Sequence, residues 1–283
     1  MSVVKRKNLP EGWAFLNLRD MAERITKGST PTSYGYIYQP EGIKFIKVEN
    51  IDENGYVISI NDFIDEDANK FLKRSILKEN DVLFSIAGTI GRVGIVRGVD
   101  LPANTNQALA IIRTALGLID TKYLYYYLKS DDVQKFVSKL TVGVGRANLS
   151  LANVGEIQVP LAPLDQQKRI VAEIEKQFSR LNEAVAALKR IQANLKRYKA
   201  SVLKAAVEGK LTEEWRSRRG EQPFAPTKDE LINRDKASLD IFWLRDESLE
   251  DSDSLPEPDI LAREIVEDLQ AALVQFQAIA EDL

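Results

Sequence analysis

The chain has 283 residues, with no histidine and no cysteine, and 39 basic against 42 acidic side chains. Those two absences exclude disulfides, thiolate nucleophiles, histidine-ligated zinc and every catalytic triad that depends on an imidazole. The small net charge conceals a split: residues 1–219 carry 34 basic and 25 acidic side chains, net +9, while residues 220–283 carry 5 and 17, net −12. A basic body suited to a polyanion is thus followed by an acidic tail. The 44% of apolar residues is enough for a core. No apolar run reaches the roughly 18 residues of a membrane span. The start, "MSVVKRKNLPEGW", has basic residues with no apolar stretch behind them and does not read as a signal peptide, so a cytoplasmic protein is expected.

In chain order, residues 1–162 read as a strand-rich globule. "IKFIKVENI" (43–51), "DVLFSIAG" (81–88), "RVGIVRG" (92–98) and "QALAIIRT" (107–114) are short Ile- and Val-rich runs set off by Gly, Asn and Asp, the pattern of strands and turns. "GTIGRVG" lacks the Gly-Lys-Ser/Thr of a phosphate loop and is followed by an apolar strand, so it reads as a tight turn. "NIDENG" fails as a calcium loop because its twelfth position is Asn61 rather than Glu. Asp62, Asp65, Glu66 and Asp67 read as a solvated acidic loop. Helical spacing of Leu124, Leu128, Val133, Phe136, Val137 and Leu140 predicts a helix over 118–140, with Tyr123 and Tyr125 to Tyr127 packing in the core. "VGVGRAN" (142–148) is a glycine loop carrying Arg146.

The period then changes. Residues 163–208 predict one long helix, entered at Pro163 with Asp165 as N-cap and stopped at Gly209. Ile174, Leu181, Leu188, Leu195 and Val202 recur every seventh place, a coiled-coil seam on a helix of about 65 Å. Lys168, Arg169, Lys176, Arg180, Lys189, Arg190, Lys196 and Arg197 lie opposite and read as a solvated face. Residues 209–283 read as a linker, an acidic proline-containing segment at 247–259 and an amphipathic helix at 260–283 with Ile265, Leu269, Leu273 and Phe276 on one face. "EGK" at 208–210 offers half of a metal-nuclease motif, but Asp165, the nearest fitting acid, is a whole helix away. The fold class expected is α+β: a strand-rich globule, a long coiled-coil-forming helix and a short helical acidic tail.

The succession "LPEGW", "ITKGSTPT", "IKFIKVENI", "LKENDVLFSIAGTIGRVGIV", "NTNQALAII", "YLYYYLKS" and "GVGRANLSLANVGEIQVPLAPLDQQKRIVAEIE" resembles the specificity subunits of Type I restriction-modification systems. The resemblance spans about residues 8–219 and extends to "LKAAVEGKLTEEWR" (203–216). It implies that the globule is a target recognition domain for double-stranded DNA and that the helix is a spacer. It also implies that catalysis belongs to partners: methyltransferase subunits and, through them, a restriction motor, with S-adenosylmethionine and ATP bound only there. Family members commonly carry two recognition domains and two helices; one of each is present here, so a half-size form working as a homodimer is expected.

The resemblance places the recognition surface on loops of the globule. Arg, Lys, Asn and Gln reach base edges, and Lys, Arg, Ser and Thr reach phosphates. The candidates of those types are Lys27, Ser29, Thr30, Thr32, Tyr34, Lys47, Asn50, Arg92, Asn106, Gln107 and Arg146. Ile174, Leu181, Leu188, Leu195 and Val202 are the expected dimer seam. Two other readings stay open: a coiled-coil scaffold that never touches DNA, and a lone metal-dependent endonuclease.

Overall fold

The computed structural model describes residues 9–115, 117–141, 148–219 and 255–282. It falls into two units, residues 1–174 and 175–283, and the long helix begins in the first and continues in the second.

The first unit is built on three small sheets. β1 (Ala14–Asn17) pairs antiparallel with β9 (Gln158–Leu161). A four-stranded antiparallel sheet has the order β2 (Ala22–Lys27), β8 (Leu109–Thr114), β5 (Val82–Ser85), β6 (Val93–Ile95). In the third sheet β3 (Ile43–Ile46) lies between β4 (Phe63–Ile64) and a parallel partner, β7 (Ala103–Thr105).

The uninterrupted apolar runs of β5 and β8 have a simple cause: both faces of these strands are buried. Val82 and Phe84 with Ala110 and Ile112 point into one core, and Leu83 with Leu109 and Ile111 into another. Leu124, Leu128, Val133 and Val137 fill the first core, from α3 (Thr121–Leu128) and α4 (Asp131–Thr141). The 118–140 region is therefore two helices. Asp120 caps α3 by accepting from Tyr123 N at 3.0 Å, and the chain turns through Lys129 and Ser130 before α4 begins. The tyrosines pack as expected; the Tyr123, Tyr125 and Tyr127 hydroxyls donate to the carbonyls of Pro160, Asn54 and Gln158. Short helices α1 (Leu18–Met21), α2 (Glu66–Phe71) and α5 (Leu151–Gly155) complete the unit. Asp65, expected in a solvated loop, caps α2 by accepting from Ala68 N at 2.7 Å.

The long helix, α6, runs Leu164–Val207. Asp165 is not its N-cap: it lies inside the first turn and pairs with Arg169 at 2.8 Å. The helix start is fastened to the globule by Gln167, which is fully buried. Its Nε2 donates to Ala162 O (2.7 Å) and Leu118 O (3.2 Å), and its Oε1 accepts from Asp120 N (2.8 Å). Trp13 Nε1 holds the neighbouring Gln166 at 2.9 Å. At the far end Gly209 takes a left-handed conformation (φ 79°), the ordinary helix stop. The stretch after it forms α7 (Glu213–Arg219).

The second unit pairs α6 with α8 (Pro258–Asp282). Contacts fix an antiparallel register: Ser201 Oγ donates to Pro256 O (2.6 Å), Asn194 meets Glu264 (3.3 Å), Arg190 meets Asp268 (2.6 Å), and Arg180 donates to Ala278 O (2.9 Å). Lys176 and Arg180 both engage Asp282, whose carboxyl they hold below its usual range. Three cations expected on a solvated face therefore serve the acidic helix.

The row of α6 covered here is not the leucine seam. It consists of Arg180, Ala184, Ala187, Ile191, Asn194, Tyr198, Ser201 and Ala205, spaced four and three apart, and its four small residues let a second helix come close. From α8 come Leu261, Ile265, Asp268, Ala272 and Gln275 at the same spacing. Of the face expected on this helix, Ile265 is buried while Leu269, Leu273 and Phe276 are exposed. The leucine seam is exposed as well, at 41% for Leu181, 43% for Leu188 and 51% for Leu195, with Ile174 and Val202 half-buried. Leu181, Leu188 and Leu195 directly follow covered positions on α6, as Leu269 and Phe276 do on α8. In an antiparallel pair these places fall on the same flank, so the two rows form one apolar strip.

Candidate nucleic-acid interface

Two loops of the first unit are tied together by their own backbone. The end of β2 at Lys27 and the turn after it, containing Ser29 and Thr30, meet the loop between β7 and β8, containing Asn106 and Gln107. Gly28 N donates to Asn106 O at 3.1 Å, and Thr30 Oγ1 bonds Gln107 Oε1. Gly28 is required by clearance: a β-carbon there would stand 1.8 Å from Thr105 O. Lys27 and Gln107 are exposed, and Ser29, Thr30 and Asn106 are half-buried. Asn106 uses its side-chain oxygen to accept from Ala108 N (3.0 Å), which leaves its amide nitrogen as the donor end. Thr32 and Tyr34 follow on an exposed 3₁₀ turn, where Tyr34 packs on Phe71 with ring centroids 5.0 Å apart.

Asn106 also borders a cleft of about 380 Å³ lined by Val48, Glu49, Ala87, Gly88, Thr89, Arg92 and Ala108. The turn "GTIGR" forms one wall. Ser85 organises it, accepting from Arg92 N at 2.7 Å and donating to Thr89 O. Ala87 pairs with Asn148, two positions beyond Arg146; Arg146 itself lies outside the described residues.

Three of the expected readers are held by the fold's own bonds. Asn50 is only 6% exposed; its Oδ1 accepts from Lys47 N (2.8 Å) and its Nδ2 donates to Ser59 O (2.9 Å). Both ends of the amide are thus occupied, and its role is to close a turn. Arg92 directs its guanidinium at the carbonyls of Val48 (3.2 Å) and Ile51 (2.9 Å), tying the cleft walls together. Lys47 pairs with Asp62 at 2.7 Å and lies 4.6 Å from the Tyr38 ring centroid. Burial is the largest single influence and works against its charge, but the Asp62 bond together with the charges of Tyr38, Asp62 and Glu49 outweighs it and raises the pKa. Thr89 and Glu49 on the cleft were absent from the sequence candidates. Gly88 and Gly91 marked the turn, but nothing in the sequence singled out Thr89 between them.

The fold and the tied loops describe a small mixed domain that presents polar side chains on loops at the head of a long helix. Residues 10–196 match the family described as Type I restriction modification DNA specificity domain, and the chain belongs to that family. It is 28% identical over 214 residues to the EcoBI specificity subunit of Escherichia coli, covering 74% of this chain and 44% of that protein. It therefore spans under half the length of that relative. The HsdS subunit from Thermoanaerobacter tengcongensis has the same fold, with a TM-score of 0.53 and 19% identity over 70% of this chain and 50% of that one. A different likeness is shorter and closer: 46 residues, 16% of this chain, are 50% identical to part of the EcoKI methylase subunit of Escherichia coli K12 and cover 9% of it. Among the described residues, no helix is long and apolar enough to cross a membrane.

Proposed function

We propose that the protein is the non-catalytic, sequence-reading subunit of a Type I restriction-modification complex. It brings methyltransferase subunits, and a restriction motor through them, to double-stranded DNA. S-adenosylmethionine and ATP are bound by those partners. The observation that carries the reading is the joining of two loops that are far apart in sequence: Lys27, Ser29 and Thr30 share one surface with Asn106 and Gln107, beside the cleft. Of these, Lys27, Asn106 and Gln107 are the side chains suited to base edges, and Ser29 and Thr30, with Thr32 farther along, suit phosphates. Asn50, Arg92 and Lys47 support this surface rather than read from it. Arg146 remains a candidate reader because it lies two positions from the partner of Ala87.

The working form is a homodimer. The apolar strip of Leu181, Leu188 and Leu195 with Leu269 and Phe276 is too extensive to face water, and a second copy carries the complementary strip. Two identical recognition domains on an antiparallel helix pair read two identical half-sites in inverted orientation, so the target is an interrupted palindrome.

Mapping methylated bases in a genome that carries this chain with its methyltransferase tests the reading. The expected result is a bipartite motif with inverted, identical halves. Lys27→Ala and Gln107→Ala should each relax one position of the half-site, at about 1–3 kcal/mol per lost base contact. A motif with unrelated halves would reject the homodimer. An unchanged motif in both variants would move the reading surface elsewhere.

A further inference from the structure

The acidic helix α8 is the part of the molecule that the specificity family does not account for. The family match stops at residue 196, and α8 begins at Pro258. Its placement is nevertheless specific. It sits in the small-residue row of α6, where Ala184, Ala187 and Ala205 are buried, Ala187 at 2% exposure. It is held along its length by Arg190 on Asp268, Arg180 and Lys176 on Asp282, and Ser201 on Pro256 O. Charge complementarity runs the same way, with a basic helix receiving an acidic one. The register set by Arg190–Asp268 and Asn194–Glu264 puts Ala187 opposite Ala272, so the two backbones approach through side chains of minimal size.

The second observation is the 46-residue likeness to a methylase subunit, at 50% identity against 28% for the EcoBI specificity subunit. A match of this kind is to a different component of the same enzyme complex. Residues 10–196 match the specificity family, and placing the 46-residue likeness beyond Lys196, in the segment that ends in α8, is part of the proposal that follows.

We propose that the segment ending in α8 is a copy, carried in cis, of the methylase segment that seats on the spacer helix, so that the alanine row of α6 is a methylase-docking groove already filled by this chain. The inference rests on the specificity-subunit reading only in taking a methylase as the partner. It has a mechanical consequence. A tethered segment acts at an effective concentration of about 1 mM, so against a free segment that binds at about 10 μM it weakens trans binding on the order of 100-fold. A methylase therefore docks on this chain through surfaces other than that segment, or displaces α8 to use it.

The test uses the full chain and two fluorescent peptides: residues 255–282 of this protein, and the 46-residue EcoKI methylase segment. Asp268→Arg with Asp282→Arg removes the clamps on α8 and should free the groove. Anisotropy should show both peptides binding this variant about 100-fold more tightly than the parent chain. Adding Ala187→Trp fills the groove and should abolish that gain. Three results would overturn the inference: equal binding to parent and opened chains, binding that survives Ala187→Trp, or capture of the chain's own peptide without the methylase segment. If the opened variant proves insoluble, the parent chain still decides the matter. Excess methylase segment should compete α8 out, leaving α8 itself to exchange its amide hydrogens faster, and no change in its exchange at millimolar peptide overturns the inference. DNA binding measured on the same samples reports separately on the recognition reading, since Asp268, Asp282 and Ala187 lie outside the recognition domain.

Discussion

Gln167 offers the most direct quantitative test of how the long helix is fixed to the strand-rich globule. Gln167→Ala removes three hydrogen bonds at a site with no solvent access: Nε2 to Ala162 O, Nε2 to Leu118 O, and Oε1 from Asp120 N. A made bond is worth about 1 kcal/mol net, and each partner left buried and unpaired costs about 1–3 kcal/mol. The Leu118 bond, at 3.2 Å, is the longest of the three and contributes least. The expected loss is about 3 kcal/mol. In a domain of this size that corresponds to a fall of about 6–12 °C in Tm. Urea and thermal unfolding followed by fluorescence would measure it, and Trp13, bonded to the adjacent Gln166, reports locally. Gln167→Glu is the informative companion. A carboxylate still accepts from Asp120 N–H but faces two carbonyl oxygens, so it should be no better than alanine. A Tm within about 2 °C of the parent for Gln167→Ala would refute the latch and leave apolar packing, through Val171 in particular, to hold the helix start.

Other expectations follow from the same kind of reasoning. Asp81, almost fully buried, grips Arg113 through two bonds of 2.7 and 2.6 Å, so Asp81→Asn should cost about 3 kcal/mol in urea unfolding because the guanidinium keeps its charge and loses its counter-ion. Burial above all pushes the hydroxyls of Tyr125 and Tyr127 up to about 12, with Tyr56 and Asp52 adding at Tyr125 and Asp132 and Tyr123 at Tyr127. Because these groups ionise more readily unfolded than folded, their contribution is complete below pH 10 and is lost between pH 10 and about 12; a pH series of unfolding midpoints checks this. Leu188→Glu puts a charge in the middle of the apolar strip while leaving the Ala187 row intact; sedimentation should show monomers with helix content unchanged, and a persistent dimer would place the interface elsewhere.

The long helix was legible in the sequence because its signals are local: proline before it, glycine after it, and an apolar repeat between. Its partner face was not. The eye follows Leu181, Leu188 and Leu195, whereas the face used within the chain mixes Ile191 and Tyr198 with alanine and serine, which carry little apolar signal and matter through the close approach they permit. The loop residues divide in the same manner. Thr30, Asn106 and Gln107, chosen by residue type and loop position, are brought together by the Gly28–Asn106 and Thr30–Gln107 bonds. Asn50 and Arg92 were chosen on the same grounds, but they bond to carbonyls that only the folded chain brings near: Ser59 for Asn50, and Val48 and Ile51 for Arg92. The break between α3 and α4 was hidden because the apolar spacing continues across Lys129 and Ser130 as if the helix did.

On the reading proposed above, the clearance at Gly28 limits how the target could change. The turn after β2 and the loop before β8 touch backbone to backbone, with less than a methyl group's room between them. They cannot drift independently. A new side chain at position 28, or an insertion in either loop, would pry the two apart and remove Lys27 and Gln107 from a common surface at once. The side chains of Ser29 and Thr32 can be exchanged while this junction holds, whereas Pro31 is buried and Thr30, Tyr34 and Gln107 have partners within the fold. New specificities should therefore arise by substitution around a preserved glycine contact, or by replacement of both loops together in one recombination event, and seldom by lengthening one loop alone.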